Sequence, residues 1–197
     1  MHHYRQLMVG LWLAWALYWM VSALGAKRTQ RRESLASRLS HVLPLLLGVT
    51  LIAWPHHPGP EWLSWRLVPP GPMRFGGALF LTVAGLGFTV WARVHLGRNW
   101  SGTVTLKEEH ELVRSGPYAY VRHPIYTGLL VALLGSAIAC GEVRALIGFI
   151  VVAAAFVRKL RIEERLMRES FPEQYRDYCA RVPALIPFSR PRRSAPR

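Results

Sequence analysis

Apolar residues in this 197-residue chain come in long runs parted by polar ones. A bilayer core of roughly 30 Å takes about 20 helical residues, and Leu7–Leu24, Leu39–Trp54 and Phe75–Val94 each read as a span. Pro44 in the second is tolerated as a kink, and Gly76, Gly77, Gly85 and Gly87 in the third allow close helix approach. Pro124–Cys140 and Ala145–Val157 are shorter apolar runs with four residues between them, which predicts a tight antiparallel hairpin. Gly128, Ala132 and Ser136 recur every fourth residue, which reads either as a stripe along which the hairpin's two helices touch or as ordinary small-residue filler. Arg158–Arg181 is charged and amphipathic, a helix continuing into water with a break at Pro172. Lys27–Arg38 reads as a basic loop and His56–Arg74, with Trp62 and Trp65, as an interfacial one. Gly97–His123 is polar with turn signals at Asn99, Ser101-Gly102 and Ser115-Gly116-Pro117, and Ser189–Arg197 is a disordered tail. The expected class is all-α: a polytopic membrane protein of about five transmembrane helices, the last two a short hairpin, plus a C-terminal cytosolic amphipathic helix. One membrane domain fills 1–197, with three spans in 1–95, a core in 96–188 and the tail in 189–197.

Composition supports this reading. The chain is 51% hydrophobic with 8 Trp, and its formal charge is +14. Such a balance suits nucleic acid or an anionic membrane surface; the apolar runs favour anionic lipid at the basic loops and tail, with no nucleic-acid partner. Leu7–Leu24 exceeds a usual signal-peptide core, although Ala23-Leu24-Gly25 would pass as a cleavage site. Its Trp12, Trp15, Tyr18 and Trp19 suit either an interfacial belt or a helix contact. With five crossings and the N-terminus outside, only Arg5, Arg66, Arg74 and Arg144 of the 25 Lys and Arg fall outside. Positive-inside bias then puts 97–123 and the C-terminus in the cytoplasm, as in a bacterial inner-membrane protein. Cys140 and Cys179 fall on opposite faces, so no disulfide is expected, and no Cys/His spacing suggests a metal. His2, His3, His56 and His57 read as surface or interface residues.

Two segments could carry chemistry. In Gly116-Pro-Tyr-Ala-Tyr-Val-Arg-His-Pro-Ile-Tyr-Thr-Gly128, Pro124 fits the first turn of a helix, and His123 before it avoids the helical region. Arg122 and His123 then sit at the positive end of a helix dipole, where free N–H groups and a guanidinium can hold an anion. Tyr118, Tyr120 and Tyr126 offer faces for a cation. A helix start with interfacial anchors explains the same residues. Farther on, Glu163 and Glu164 could accept hydrogen bonds from a ligand, or could belong to a solvated face in which Glu164 pairs with Arg168 at i,i+4.

Together these segments carry a resemblance. The Gly116–Gly128 run, Arg161-Ile-Glu-Glu-Arg-Leu166, Phe171-Pro-Glu-Gln-Tyr175, Tyr178 and Arg181-Val-Pro-Ala-Leu-Ile-Pro-Phe188 resemble, in order and spacing, the isoprenylcysteine carboxyl methyltransferase family. Gly97-Arg-Asn-Trp-Ser101 resembles the segment after that family's third helix, and the likeness covers roughly residues 90–188. It implies S-adenosylmethionine as cofactor and carboxyl O-methylation of a lipophilic, isoprenylcysteine-type acceptor entering from the bilayer. It also implies cofactor-binding roles for Val113, Gly116, Pro117, Tyr118, His123, Pro124, Tyr126, Gly128 and Glu164, and catalytic roles for Arg122 and Glu163. A phospholipid amine N-methyltransferase, a small-thiol S-methyltransferase and an NADPH-dependent sterol-type reductase are alternatives; Leu129 stands where the reductase motif usually has Glu. A scaffold that holds anionic lipid explains the charge but not the ordered motifs.

Overall fold

The computed structural model describes residues 2–24, 29–32, 34–54, 59–97, 105–107 and 112–189. The side chains of His2, His56 and His57, the turn signals at Asn99 and Ser101-Gly102, and tail residues 190–197 lie outside that set. Six helices dominate: α1 (His2–Ala23), α2 (Leu35–Ala53), α3 (Pro72–Leu96), α4 (Pro124–Cys140), α5 (Val143–Ser170) and α6 (Pro172–Arg181). Three are long and apolar enough to cross a membrane, namely α2, α3 and His3–Ala23 of α1. α4 is shorter, at 17 residues. The last apolar run forms the first part of the 28-residue α5.

Local chemistry sets the boundaries. Ser34 caps α2, its hydroxyl accepting from the Ser37 N–H at 3.2 Å, so that helix starts four residues before the apolar run. Pro44 sits inside α2. Pro72 opens α3, and Gly97 ends it in a positive-φ conformation. α5 runs unbroken from the apolar stretch into the charged one, and Phe171-Pro172 separates it from α6, as the sequence pattern predicts. One element differs from the expected all-helical pattern. Thr29–Arg32 (β1) pairs antiparallel with Thr105–Lys107 (β2), Arg32 opposite Thr105. The two segments lie far apart in sequence within polar loops and are too short for an alternating pattern to mark them.

The helices pack mainly as two pairs, α3 on α4 and α2 on α5, while α4 and α5 touch less extensively. This corrects the expected small-residue seam within the hairpin. A Cβ on Gly85 would lie 2.5 Å from the Gly128 carbonyl oxygen, and one on Gly128 would lie 2.6 Å from the Gly85 oxygen. Gly128 and Ala132 therefore face α3. Ser136 faces α1, accepting from the Trp12 indole at 3.0 Å, while Trp15 donates to Thr89 at 2.7 Å. Trp12 and Trp15 thus join helices. Gly48 and Gly148 form an equivalent close approach between α2 and α5. Backbones this near admit no side chain, so Gly128→Leu should prevent α3 and α4 from docking, at a cost of about 3 kcal/mol or more. The measurement is thermal unfolding in detergent; an unchanged melting temperature would refute this packing.

The bundle has two distinct ends. At one, the Leu67 N–H donates to the Gly141 oxygen at 2.8 Å and the Val143 N–H to the Trp65 oxygen at 3.0 Å. There buried Arg144 donates to Glu142 and to the Leu51 carbonyl, each at 2.7 Å. The other end holds the start of α4, the charged part of α5, and the chain after α6.

Candidate active site

Pro124 starts α4, and the start is held by the chain that follows α6. The backbone N–H groups of Arg122 and His123 donate to the carbonyls of Pro183 and Ala184 at 2.9 and 3.0 Å. The Thr127 hydroxyl donates to the Leu185 oxygen at 2.7 Å, and the Arg122 Nη1 to the Val182 oxygen at 2.5 Å. The Gly116–Gly128 segment and the closing Arg-Val-Pro segment thus form one unit through hydrogen bonds to main-chain carbonyls.

At its centre, Arg122 donates to Glu164 Oε1 through Nε at 3.0 Å and Nη2 at 2.5 Å. Arg168 donates to the other oxygen at 2.8 Å. The His123 ring bridges both acids, with Nε2 at 3.3 Å from Glu164 Oε1 and Nδ1 at 3.6 Å from Glu163 Oε2. The Tyr126 hydroxyl donates to Glu163 Oε1. Tyr126 stacks on His123 at 5.6 Å and on Phe156 at 5.0 Å, and Lys159 Nζ lies 5.4 Å from its ring centroid. The anion that Arg122 faces here is therefore Glu164. Its side chain is 7% exposed, against 24% for Glu163. Glu164 is enclosed by these partners, and Glu163 is the more exposed carboxylate of the two.

Burial alone would raise the Glu164 carboxyl, but hydrogen bonds and charge from His123 and Arg122 outweigh it and hold the group down at about 2. Burial lowers the Arg122 guanidinium, and the Glu164 charge more than reverses that. A depressed folded-state carboxyl gives stability that is full above its usual 4.5 and is lost as pH falls through about 2. Between pH 5 and 2 the melting temperature of the wild type should therefore fall more steeply than that of Glu164→Gln. Parallel curves would contradict the assigned environment.

The other sequence candidates lie nearby in different settings. Gly116, Pro117 and Tyr118 form a 3₁₀ turn, with Pro117 and Tyr118 buried. Gly116 has φ +59, and a Cβ there would lie 2.6 Å from the His95 ring. Pro124 is buried, Val113 is part-buried just before the turn, and Gly128 is turned toward α3. Sequence reasoning misses His95, whose Nε2 lies 2.9 Å from the Ser115 hydroxyl and whose ring stacks on Tyr118 at 6.4 Å. No motif marks it. Tyr178, to which the sequence assigns no role, is buried, donates to the Tyr118 oxygen at 2.5 Å and ties α6 to the turn. The carbonyls of 182–185 are equally silent in the sequence, because main-chain acceptors leave no residue-type signal.

The model of the isoprenylcysteine carboxyl methyltransferase family matches residues 78–169. This region is similar to that family. The match runs from within α3 to near the end of α5 and so contains the Arg122–Glu164 cluster. Protein-S-isoprenylcysteine O-methyltransferase B of Arabidopsis thaliana is 32% identical over 100 residues, 49% of this chain and 51% of the relative. The nickel-cobalt-cadmium resistance protein NccN of Alcaligenes xylosoxydans xylosoxydans is 34% identical over 112 residues, 56% of this chain and 51% of the relative. A solved structure of the eukaryotic intramembrane Ras methyltransferase ICMT aligns with TM-score 0.51 and 25% identity, over 78% of this chain and 50% of that one. The chain spans about half the length of these relatives.

Proposed function

We propose that this protein transfers a methyl group from S-adenosylmethionine to the carboxylate of a lipophilic, isoprenylcysteine-type acceptor at the cytoplasmic face of a bacterial inner membrane. The observation that carries this reading is the Arg122–His123–Tyr126–Glu163–Glu164 cluster, built where two sequence-distant motifs meet inside the family-matched region. In this reading α4 and the apolar part of α5 also enter the bilayer, the N-terminus lies outside, and anionic lipid meets the basic loops and tail. The resistance-protein name of one relative suggests metals, but among the described residues no group of three or more His, Cys, Asp or Glu could hold a metal ion.

The residues fit the cofactor. Glu163 has a part-exposed carboxylate able to accept hydrogen bonds from ribose hydroxyls or an amino group. When bound, S-adenosylmethionine supplies an electrophilic methyl group for in-line displacement. The protein's own task is alignment and the exclusion of water. Glu164 neutralises Arg122 and makes it a strut that fixes His123 at the mouth of α4. Glu163 and Tyr126 hold one another in position. A carboxylate acceptor is already ionised at neutral pH, so this chemistry takes no general base. An amine acceptor must lose a proton, and the His123–Glu163 pair, 3.6 Å apart, favours that as the second reading.

Methyl transfer from labelled donor, in membranes, to a prenylcysteine analogue and in parallel to a lipid extract tests the choice. Labelled prenylcysteine ester is the expected product. Label in phospholipid amine alone would replace the carboxyl reading with the amine one.

A further inference from the structure

The segment whose carbonyls hold the start of α4 ends in Ile186-Pro187-Phe188-Ser189. These residues make a tight turn, the Ser189 N–H reaching the Ile186 oxygen at 3.3 Å and its hydroxyl the same oxygen at 2.7 Å. Pro187 takes the second position of the turn, and Phe188 takes the third with φ +60. Turns with positive φ at that position normally use glycine there, and a bulky residue in this region is a genuine outlier. Among the described residues, Phe188 is the only non-glycine with positive φ. The strained backbone buries nothing: Phe188 is 91% exposed and Ile186 69%. The Phe188 ring makes a T-shaped contact with Tyr120, itself 50% exposed, at 6.4 Å. An outlier of this kind points toward function.

We infer that Tyr120, Ile186 and Phe188 form a wedge that enters the anionic lipid surface beside α4. Two further observations select that partner. Leu185 is hydrogen-bonded to Thr127 in the first turn of α4, so the wedge lies level with the end of the apolar helix. The eight residues after Ser189 include Arg190, Arg192, Arg193 and Arg197 with no acidic residue, the charge that complements an anionic headgroup layer. The aromatic and aliphatic side chains supply the apolar half of such an anchor. Because carbonyls 182–185 hold Arg122, His123 and Thr127, lipid capture of the wedge also steadies the cluster. The inference rests on the membrane reading above, and not on methyl transfer.

The test uses the full chain with Cys140 and Cys179 replaced by alanine and an environment-sensitive fluorophore on Phe188→Cys. The protein is placed in nanodiscs of phosphatidylcholine alone or with about one-third phosphatidylglycerol, with or without lipid spin-labelled near the headgroup. The expected result is quenching at position 188, at least twofold stronger with phosphatidylglycerol, and little quenching of the same label on exposed Asp177→Cys. Absence of quenching at 188, or equal quenching in both lipids, overturns the proposal. Unlabelled Phe188→Gly gives a second arm. It should keep or raise the melting temperature in detergent, because the turn is relaxed, yet lose the extra stability that phosphatidylglycerol gives the wild type. If it keeps that extra stability, the wedge is wrong. Neither arm measures catalysis, so failure here leaves the methyltransferase reading standing.

Discussion

Glu164→Ala is expected to destabilise the protein by about 3–5 kcal/mol, the cost of stranding one member of a buried ion pair. The carboxylate accepts from Arg122 at 2.5 and 3.0 Å and from Arg168 at 2.8 Å, and it lies 3.3 Å from His123. Its removal leaves the part-buried Arg122 guanidinium to the Val182 oxygen. Arg168 is 57% exposed and can turn to water, so Arg168→Ala should cost no more than about 1 kcal/mol. The contrast between the two variants is the informative result. Equal melting temperatures would mean that Glu164 is an ordinary surface acid and that the Arg122 bracing is absent.

Glu163→Gln should behave in the opposite way. Its carboxylate is part-exposed and pairs with Tyr126 and His123, so an amide of the same shape should leave the melting temperature nearly unchanged. If Glu163 receives hydrogen bonds from the cofactor, weakening one such charged bond costs about 1.5–3 kcal/mol, a fall of about 10- to 100-fold in affinity. Cofactor titration of folded Glu163→Gln checks this, and wild-type affinity would remove Glu163 from the site. The two adjacent acids thus have separable consequences, one on folding and one on binding.

Much of this arrangement is legible in the sequence. Runs of apolar residues mark α1 to α3, Pro124 marks the start of α4, and Pro172 marks the break after α5, because each signal is local. The i,i+4 pair of Glu164 and Arg168 is also legible, and it proves to be one edge of a larger cluster. Partner choice is less so. Gly128 and Ala132 are recognisably small, but nothing in their spacing says whether α5 or α3 lies opposite. The ribbon of Thr29–Arg32 with Thr105–Lys107 depends on two distant loops meeting. The sequence pattern sets Arg122 against a ligand anion, whereas an acid 42 residues away occupies its fork. Pattern can locate a guanidinium at a helix start, but the competing internal anion becomes visible only in three dimensions.

Calorimetric titration of the detergent-solubilised wild type with S-adenosylhomocysteine tests the central claim most directly. Saturable binding with one site per chain is the predicted result, weakened at least tenfold by Glu163→Gln. A folded wild type that takes up no S-adenosylhomocysteine at millimolar concentration would contradict the claim that the two motifs meet to form a methyl-donor site.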